Sequence, residues 1–498
     1  MVVASLVTLG AWTLASPPGS SPDDNFHLAS LWCAGGISDS CAADPNGDPG
    51  VRLIPARVVG APCFHFDSTA SGSCQDKLPK GMDPDTPTNW GNWNGLYPPV
   101  FYEVMGVLVG DDLETSVLLV RAMNGLVVVG LVTALAALAP RRLRAIVVVP
   151  LVITSVPLGL SLFASTNPSS WAIASAATVW PALYAAFDVT GRRRLLLLAL
   201  ALVAVLIGSG SRGDACLFSV VGVCLALGLR FRELRANLPV VGVGVVGIAL
   251  SAYLLLASGQ SSLAGGLPEK SLGLPWSELA LQNLQQLPNI LFGGFGYGPL
   301  GGGGWFDTSY PALLLLSLGV WAVVVFDALR GSDRLKATAL AVLGFGLVAY
   351  PMVVLGRTGV LVGTAFQPRY VAPLLVMFTG VALLGAERRP RLGGTQVVAL
   401  AVGLALAQCL ALAAQIRRYV TGQDVTGFAL DRDREWWWNL PVSATFVWIA
   451  GSLAFAVLAY LALREYAAEV PPTADPDAAE GSDGDRAAIS GRSAATAA

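Results

Sequence analysis

Charge is scarce in this chain: Asp, Glu, Lys and Arg make up 13% of its 498 residues, about half the share usual in soluble domains. With 54% hydrophobic residues, that scarcity excludes an ordinary soluble domain and leaves a polytopic membrane protein. Histidine is scarcer still, with only His27 and His65. Clustered His/Asp ligands of the metal-binding kind are lacking, so no cofactor is expected and a divalent metal has no support. The net charge of −2 and the lack of a basic face argue against a nucleic-acid partner. The glycine-rich run at 293–304 lacks the Lys-Ser/Thr that closes a P-loop, which argues against a nucleotide site.

What the chain does have is apolar length. A spanning helix needs roughly 20 mostly apolar residues. About twelve stretches qualify, near 2–16, 116–138, 145–164, 171–189, 195–210, 215–229, 238–257, 309–328, 337–356, 371–386, 395–415 and 441–463. The expectation is an all-α membrane domain over 1–466 with a disordered acidic tail at 467–498. The first stretch lacks the basic flank of a signal peptide and is kept as a helix, and a start upstream of Met1 stays open.

Every second loop is basic: Arg141, Arg142 and Arg144; Arg192, Arg193 and Arg194; Arg230, Arg232 and Arg235; Arg330, Arg334 and Lys336; Arg388, Arg389 and Arg391. By the positive-inside rule these loops and both termini are cytoplasmic. Arg-rich, Lys-poor, Ala- and Val-heavy usage points to a high-GC bacterium, and the expected location is the bacterial plasma membrane. The bulk then lies outside, in a first loop at 17–115 and a glycine-rich loop at 258–308. Within the stretches themselves ionisable residues are nearly absent, unlike the pattern of ion-coupled transporters.

Four cysteines, Cys33, Cys41, Cys63 and Cys74, fall in the first outer loop, an oxidising compartment by this topology. They allow three pairings. Short local closure favours Cys33 with Cys41 and Cys63 with Cys74. Cys216, Cys224 and Cys409 fall within apolar stretches and read as packing residues.

The chemistry-bearing segment is Pro22-Asp23-Asp24-Asn25-Phe26-His27, where the chain leaves the first apolar stretch. Ser20 or Ser21 can cap a helix there, with Pro22 in its first position and Asp23 and His27 on one face, lying along the membrane surface. Acids at a helix start favour the dipole, which alone accounts for both. The functional reading is that Asp23 or Asp24 acts as a general base, with His27 orienting it or binding phosphate. Other outer residues offer partners. Gln367-Pro368-Arg369-Tyr370 supplies either a snorkelling arginine beside an aromatic anchor or a guanidinium for a lipid phosphate. Tyr97 and Tyr102 lie in an interfacial stretch. Asn167-Pro168 reads as a turn and cap, and Arg212 with Asp214 as a simple pair. Trp305 and Asp307, after a flexible glycine-rich loop, offer sugar contacts. Trp436-Trp437-Trp438 reads as an interfacial aromatic belt.

Together these motifs resemble a family. Pro22-Asp23-Asp24-x-x-His27 resembles the Pro-Asp-Glu-x-x-His signature of a bacterial membrane family, domain of unknown function 2142. Tyr97-Pro98-Pro99-Val100-Phe101-Tyr102 is similar to its Pro-Pro-x-x-Tyr segment. Asn167-Pro168-Ser169-Ser170, Gly304-Trp305-Phe306-Asp307-Thr308 and Gln367-Pro368-Arg369-Tyr370 are similar to later outer motifs, in the same order. Asp24 stands where the family usually has Glu, and Pro368 where it usually has Gly. The family in turn is similar to the GT-C superfamily of membrane glycosyltransferases, which take a sugar from a polyprenyl phosphate and use an acid in the first outer loop. That resemblance implies a GT-C-like fold and an inverting transferase moving sugar from a polyprenyl-phosphate donor to an envelope glycan in the lipid bilayer. It implies Asp23 as base, Asp24 beside it, and Arg369 on donor phosphate. The rival expectations are a transporter or flippase of lipid-linked glycans, and a non-catalytic assembly partner.

Overall fold

A long apolar segment in lipid satisfies its backbone only internally, so Val-, Leu- and Ala-rich runs of this kind must be helical. Each apolar stretch indeed falls on helix in the computed structural model, which describes residues 1–260, 271–330, 332–363, 366–385 and 392–468. Among them, five helices are long and apolar enough to cross a membrane: Leu113–Leu138, Leu238–Leu256, Arg334–Thr358, Gly394–Val420 and Ala444–Ala467. Shorter apolar helices include Val2–Leu14, Gly213–Leu229 and Ala372–Leu383. The protein is a mostly helical membrane protein.

The first helix packs on Leu113–Leu138 and Ala444–Ala467, while Ser169–Ala186 packs on Gly191–Ser209 and Gly213–Leu229. One apolar core runs through these helices, with Trp180, Leu404, Phe455 and Leu463 fully buried. A second cluster sits at the end of the bundle where the first loop folds. It gathers Phe26, Trp32, Ile54, Phe101, Met105 and Trp171. Burying each such side chain contributes roughly 1.5–3 kcal/mol, so the loop is a packed body.

Several expectations are corrected. The 145–164 stretch is two helices, Arg144–Thr154 and Leu158–Phe163, because Pro157 lacks a donor and biases Val156 out of helical geometry. The Asp24–Trp32 helix starts two residues after Pro22, and Asn25 is its one exposed residue, so it is buried in the fold and not laid along a surface. The first loop also contains a three-stranded antiparallel sheet of Ala42–Ala43, Arg52–Ile54 and Thr86–Thr88. An amphipathic helix, Trp276–Leu291, occupies part of the loop at 258–308. Cys224 is exposed on its helix and Cys409 half-buried, while Cys216 is buried. Both expected disulfides are present, Cys33–Cys41 and Cys63–Cys74.

The opposite end of the bundle carries the basic loops, tied by Asp188 to Arg142 and Arg230. Arg388, Arg389 and Arg391, residues 261–270 of the glycine-rich loop and the tail from 469 lie outside the described residues.

Candidate functional site

Asp23 is the residue between the end of the first helix's exit turn and the start of Asp24–Trp32. It adopts a left-handed backbone, φ 63°, a region where Asp is tolerated better than most residues. Its carbonyl accepts from the Phe26 and His27 N–H groups, both at 2.9 Å, but its carboxylate makes no cap. It turns instead to Arg369, whose Nη2 donates to Oδ2. The Asp23 side chain is 37% exposed and that of Arg369 only 1%. Burial pushes Asp23 upward, but the lowering effects, led by the Arg369 charge, outweigh it and hold the carboxyl below its ordinary 3.8. Asp23 is an accessible, ionised carboxylate.

Asp24 is different. It is fully buried, Oδ2 accepts from the Ser21 N–H at 2.9 Å, and Oδ1 accepts from the Thr166 hydroxyl. Burial pushes its carboxyl up to about 6, against the lowering effects of Arg121 and these hydrogen bonds. Both oxygens are engaged in the scaffold.

That scaffold is built from residues distant in sequence. Arg121, 1% exposed within Leu113–Leu138, donates to the Thr13, Ser16 and Pro17 carbonyls at 3.1, 2.6 and 2.8 Å, and to the Ser20 hydroxyl at 3.0 Å. It holds the chain as it leaves the first helix. Asn167 Nδ2 donates to the Pro22 carbonyl at 2.9 Å, while its Oδ1 accepts from the Ser169 N–H. Gly19, φ +80°, passes so close to the neighbouring chain that a Cβ would lie 2.7 Å from the Ala61 carbonyl carbon. The segment before Asp23 is therefore fixed on every side.

His27 is fully buried, with Nδ1 2.9 Å from the Tyr102 hydroxyl. Burial pushes its imidazole down to about 3, so it is neutral. Its Nε2 has no partner among the described residues. Tyr97 packs edge-on against His27 at 5.8 Å. Arg212 completes the cluster: it forms a two-point ion pair with Asp214, both contacts 2.8 Å, and its guanidinium lies 4.7 Å from the Tyr370 ring and 5.8 Å from that of Tyr97. Gln367, two residues before Arg369, has a buried Oε1 with no partner among the described residues. Arg369 Nε and Nη1 have no partner among the described residues. Leaving a buried polar atom without a partner costs about 1–3 kcal/mol, and more when it is charged, so the free donors of Arg369 and His27 favour a ligand that can accept from them.

Of the residues singled out in the sequence, Asp23, His27, Tyr97, Tyr102, Arg369 and Tyr370 come together, with Asp24 and Asn167 directly behind and Gln367 two residues before Arg369 in the chain. Trp305 and Asp307 do not join them. Trp305 Nε1 donates to the Gly19 carbonyl at 2.9 Å, and Asp307 pairs with the buried Arg418 at 3.0 Å. The glycines before them are tightly packed: a Cβ on Gly303 would lie 2.2 Å from the Tyr310 hydroxyl. Trp436 and Trp438 are buried with Phe64 and Tyr419, and Trp438 Nε1 donates to the Leu14 carbonyl, so this triplet is core and not an interfacial belt. Arg121 and the wider role of Arg212 were missed. A lone arginine inside an apolar run was the available signal for the first. Among the described residues no group of three or more His, Cys, Asp or Glu is placed to hold a metal ion.

No curated protein matches the chain. A family described as "Predicted membrane protein (DUF2142)" matches residues 6–378, a range that takes in the Asp23 cluster from its first acid to Tyr370. The match spans about three quarters of the sequence, and the chain belongs to the DUF2142 family of predicted membrane proteins.

Proposed function

We propose that this protein is a GT-C-like inverting glycosyltransferase of the bacterial plasma membrane, with about twelve crossings and both termini cytoplasmic. It moves a sugar from a polyprenyl-phosphate donor to an envelope glycan at the outer face. One observation carries the reading: an accessible carboxylate, Asp23, is held beside a buried guanidinium, Arg369, two of whose nitrogens have no partner among the described residues. A base and an anion-binding cation side by side are what transfer from a phosphate leaving group requires.

In the proposed step, Asp23 takes the proton of an acceptor hydroxyl, and that oxygen attacks the anomeric carbon from the face opposite the phosphate. The bond from carbon to phosphate oxygen breaks, its electron pair leaves with the phosphate, and the anomeric centre inverts. Arg369 stabilises the charge that builds on the leaving oxygen, with neutral His27 as a further donor through Nε2 in the tautomer that carries its proton there. The donor phosphate also competes with Asp23 for Arg369. Its arrival weakens the ion pair that depresses the carboxyl, so the base strengthens when the donor is in place. Asp24, Asn167 and Arg121 act as positioning residues for the Asp23 backbone.

The test is an Asp23→Asn chain expressed in the native host in place of the wild type. The expected outcome is normal membrane levels with a changed envelope glycan composition. Normal levels with unchanged composition would remove Asp23 as base and the transferase reading with it.

A further inference from the structure

A cavity of about 340 Å³ lies within the first loop beside Ala257, and Tyr97 and Tyr102, which both touch His27, line it. Its walls include Trp93, Tyr97 and Tyr102 with Arg52, Asn92 and Glu103. The volume falls in the range of small-molecule sites, which run from about 300 to 1,000 Å³. The aromatic part is built and held. Asn92 Oδ1 accepts from the Tyr97 N–H at 2.6 Å, and its Nδ2 donates to the Tyr97 carbonyl at 3.1 Å, closing the 92–97 turn. Trp93 Nε1 donates to the Gly50 carbonyl at 2.9 Å, which fixes the indole. Rigid aromatic side chains lose little freedom on binding a ligand.

The charged lining is one arginine and one exposed glutamate, opposite in sign. That balance disfavours a polyanion such as a second phosphate. Three aromatic rings with an amide, a guanidinium and a carboxylate suit a neutral, hydroxyl-rich ring. The geometry points to a neutral carbohydrate as the occupant: this cavity is a glycan subsite that holds part of the acceptor against the two tyrosines that touch His27. Tyr102 belongs to both sites, with its hydroxyl on His27 Nδ1, and Tyr97 packs against His27 while lining the cavity. Occupancy here therefore bears directly on the residues around the base. The assignment rests on the transferase reading for its role, though not for its ligand class.

The experiment uses the full chain in lipid nanodiscs and measures binding by saturation-transfer NMR. The probes are methyl glycosides and disaccharides of glucose, galactose, mannose, rhamnose and arabinose. At least one probe is expected to bind the wild type, with Kd rising about tenfold in Trp93→Leu and several-fold in Glu103→Gln. Glu103 is exposed, so its variant leaves the fold intact and decides the matter should Trp93→Leu fail to fold. No binding by any probe, or unchanged binding in the folded variants, overturns the subsite. Unchanged binding together with transfer lost in Asp23→Asn removes the subsite and leaves the transferase. Weakened binding together with normal glycan in Asp23→Asn does the reverse.

Discussion

Arg369 meets Asp23 through one guanidinium nitrogen, and its Nε and Nη1 find no partner among the described residues. The buried structural arginines Arg121 and Arg418 leave only Nε without a partner among the described residues, so Nη1 is the free donor that sets Arg369 apart. The spare donors fit an anion that arrives with substrate. Arg369→Lys keeps the charge but loses the planar fork. Transfer is expected to fall about 100-fold, on the scale of losing one transition-state donor, with the fold retained by circular dichroism. Wild-type rates in Arg369→Lys would remove the phosphate role.

Asn167 acts on Asp23 through the Pro22 carbonyl. Asn167→Ala releases that carbonyl and loosens the left-handed turn without touching the carboxylate. Turnover is expected to drop roughly 10- to 100-fold, as for a small misplacement of a reacting group, with donor KM little changed. A change in KM alone would place Asn167 in binding instead.

Arg121 holds three carbonyls and one hydroxyl of the 13–20 segment from within a membrane helix. Arg121→Met leaves these acceptors and the buried Asp24 without it. The expected loss is roughly 3–5 kcal/mol, read as a large fall in thermal midpoint in detergent. A midpoint within a degree or two of wild type would contradict the clamp.

Asp24 supplies a pH signature. Its carboxyl sits at about 6 in the folded chain against 3.8 as a free side chain. The folded state thus holds a proton that the unfolded state has released between pH 4 and 6. Stability from this group is full below pH 4 and is lost as pH rises through 6, by roughly 3 kcal/mol at 1.36 per unit. Asp24→Asn is expected to flatten the midpoint over that window. An unchanged slope would assign the titration elsewhere.

Much of this centre was legible in the chain. Asp23 and His27 stood out because the chain has only two histidines and only His27 closely follows a pair of acids, and Arg369 because it stands beside an aromatic residue where an apolar stretch begins. The disulfides were legible because Cys33–Cys41 and Cys63–Cys74 close short loops. Helix positions followed from apolar length. What stayed hidden depends on contacts between distant segments. Arg121 gives no local sign that its partners are carbonyls at 13–17. That the Asp23 carboxylate makes no cap and turns to Arg369 instead involves a partner 346 residues on. Strands of two or three residues carry no readable alternation. Trp305 and Asp307 looked like sugar contacts because nothing in their sequence announces Gly19 and Arg418.

The most direct measurement is transfer itself, with purified chain in nanodiscs, polyprenyl-phosphate sugars radiolabelled and extracted from the native membrane, and envelope glycan as acceptor. Label is expected to pass to the glycan with the wild type and to fall at least 1,000-fold with Asp23→Asn at equal folded protein, on the scale of losing a general base. Equal transfer by the two chains, or none by the wild type with donor and acceptor both present, would contradict the account.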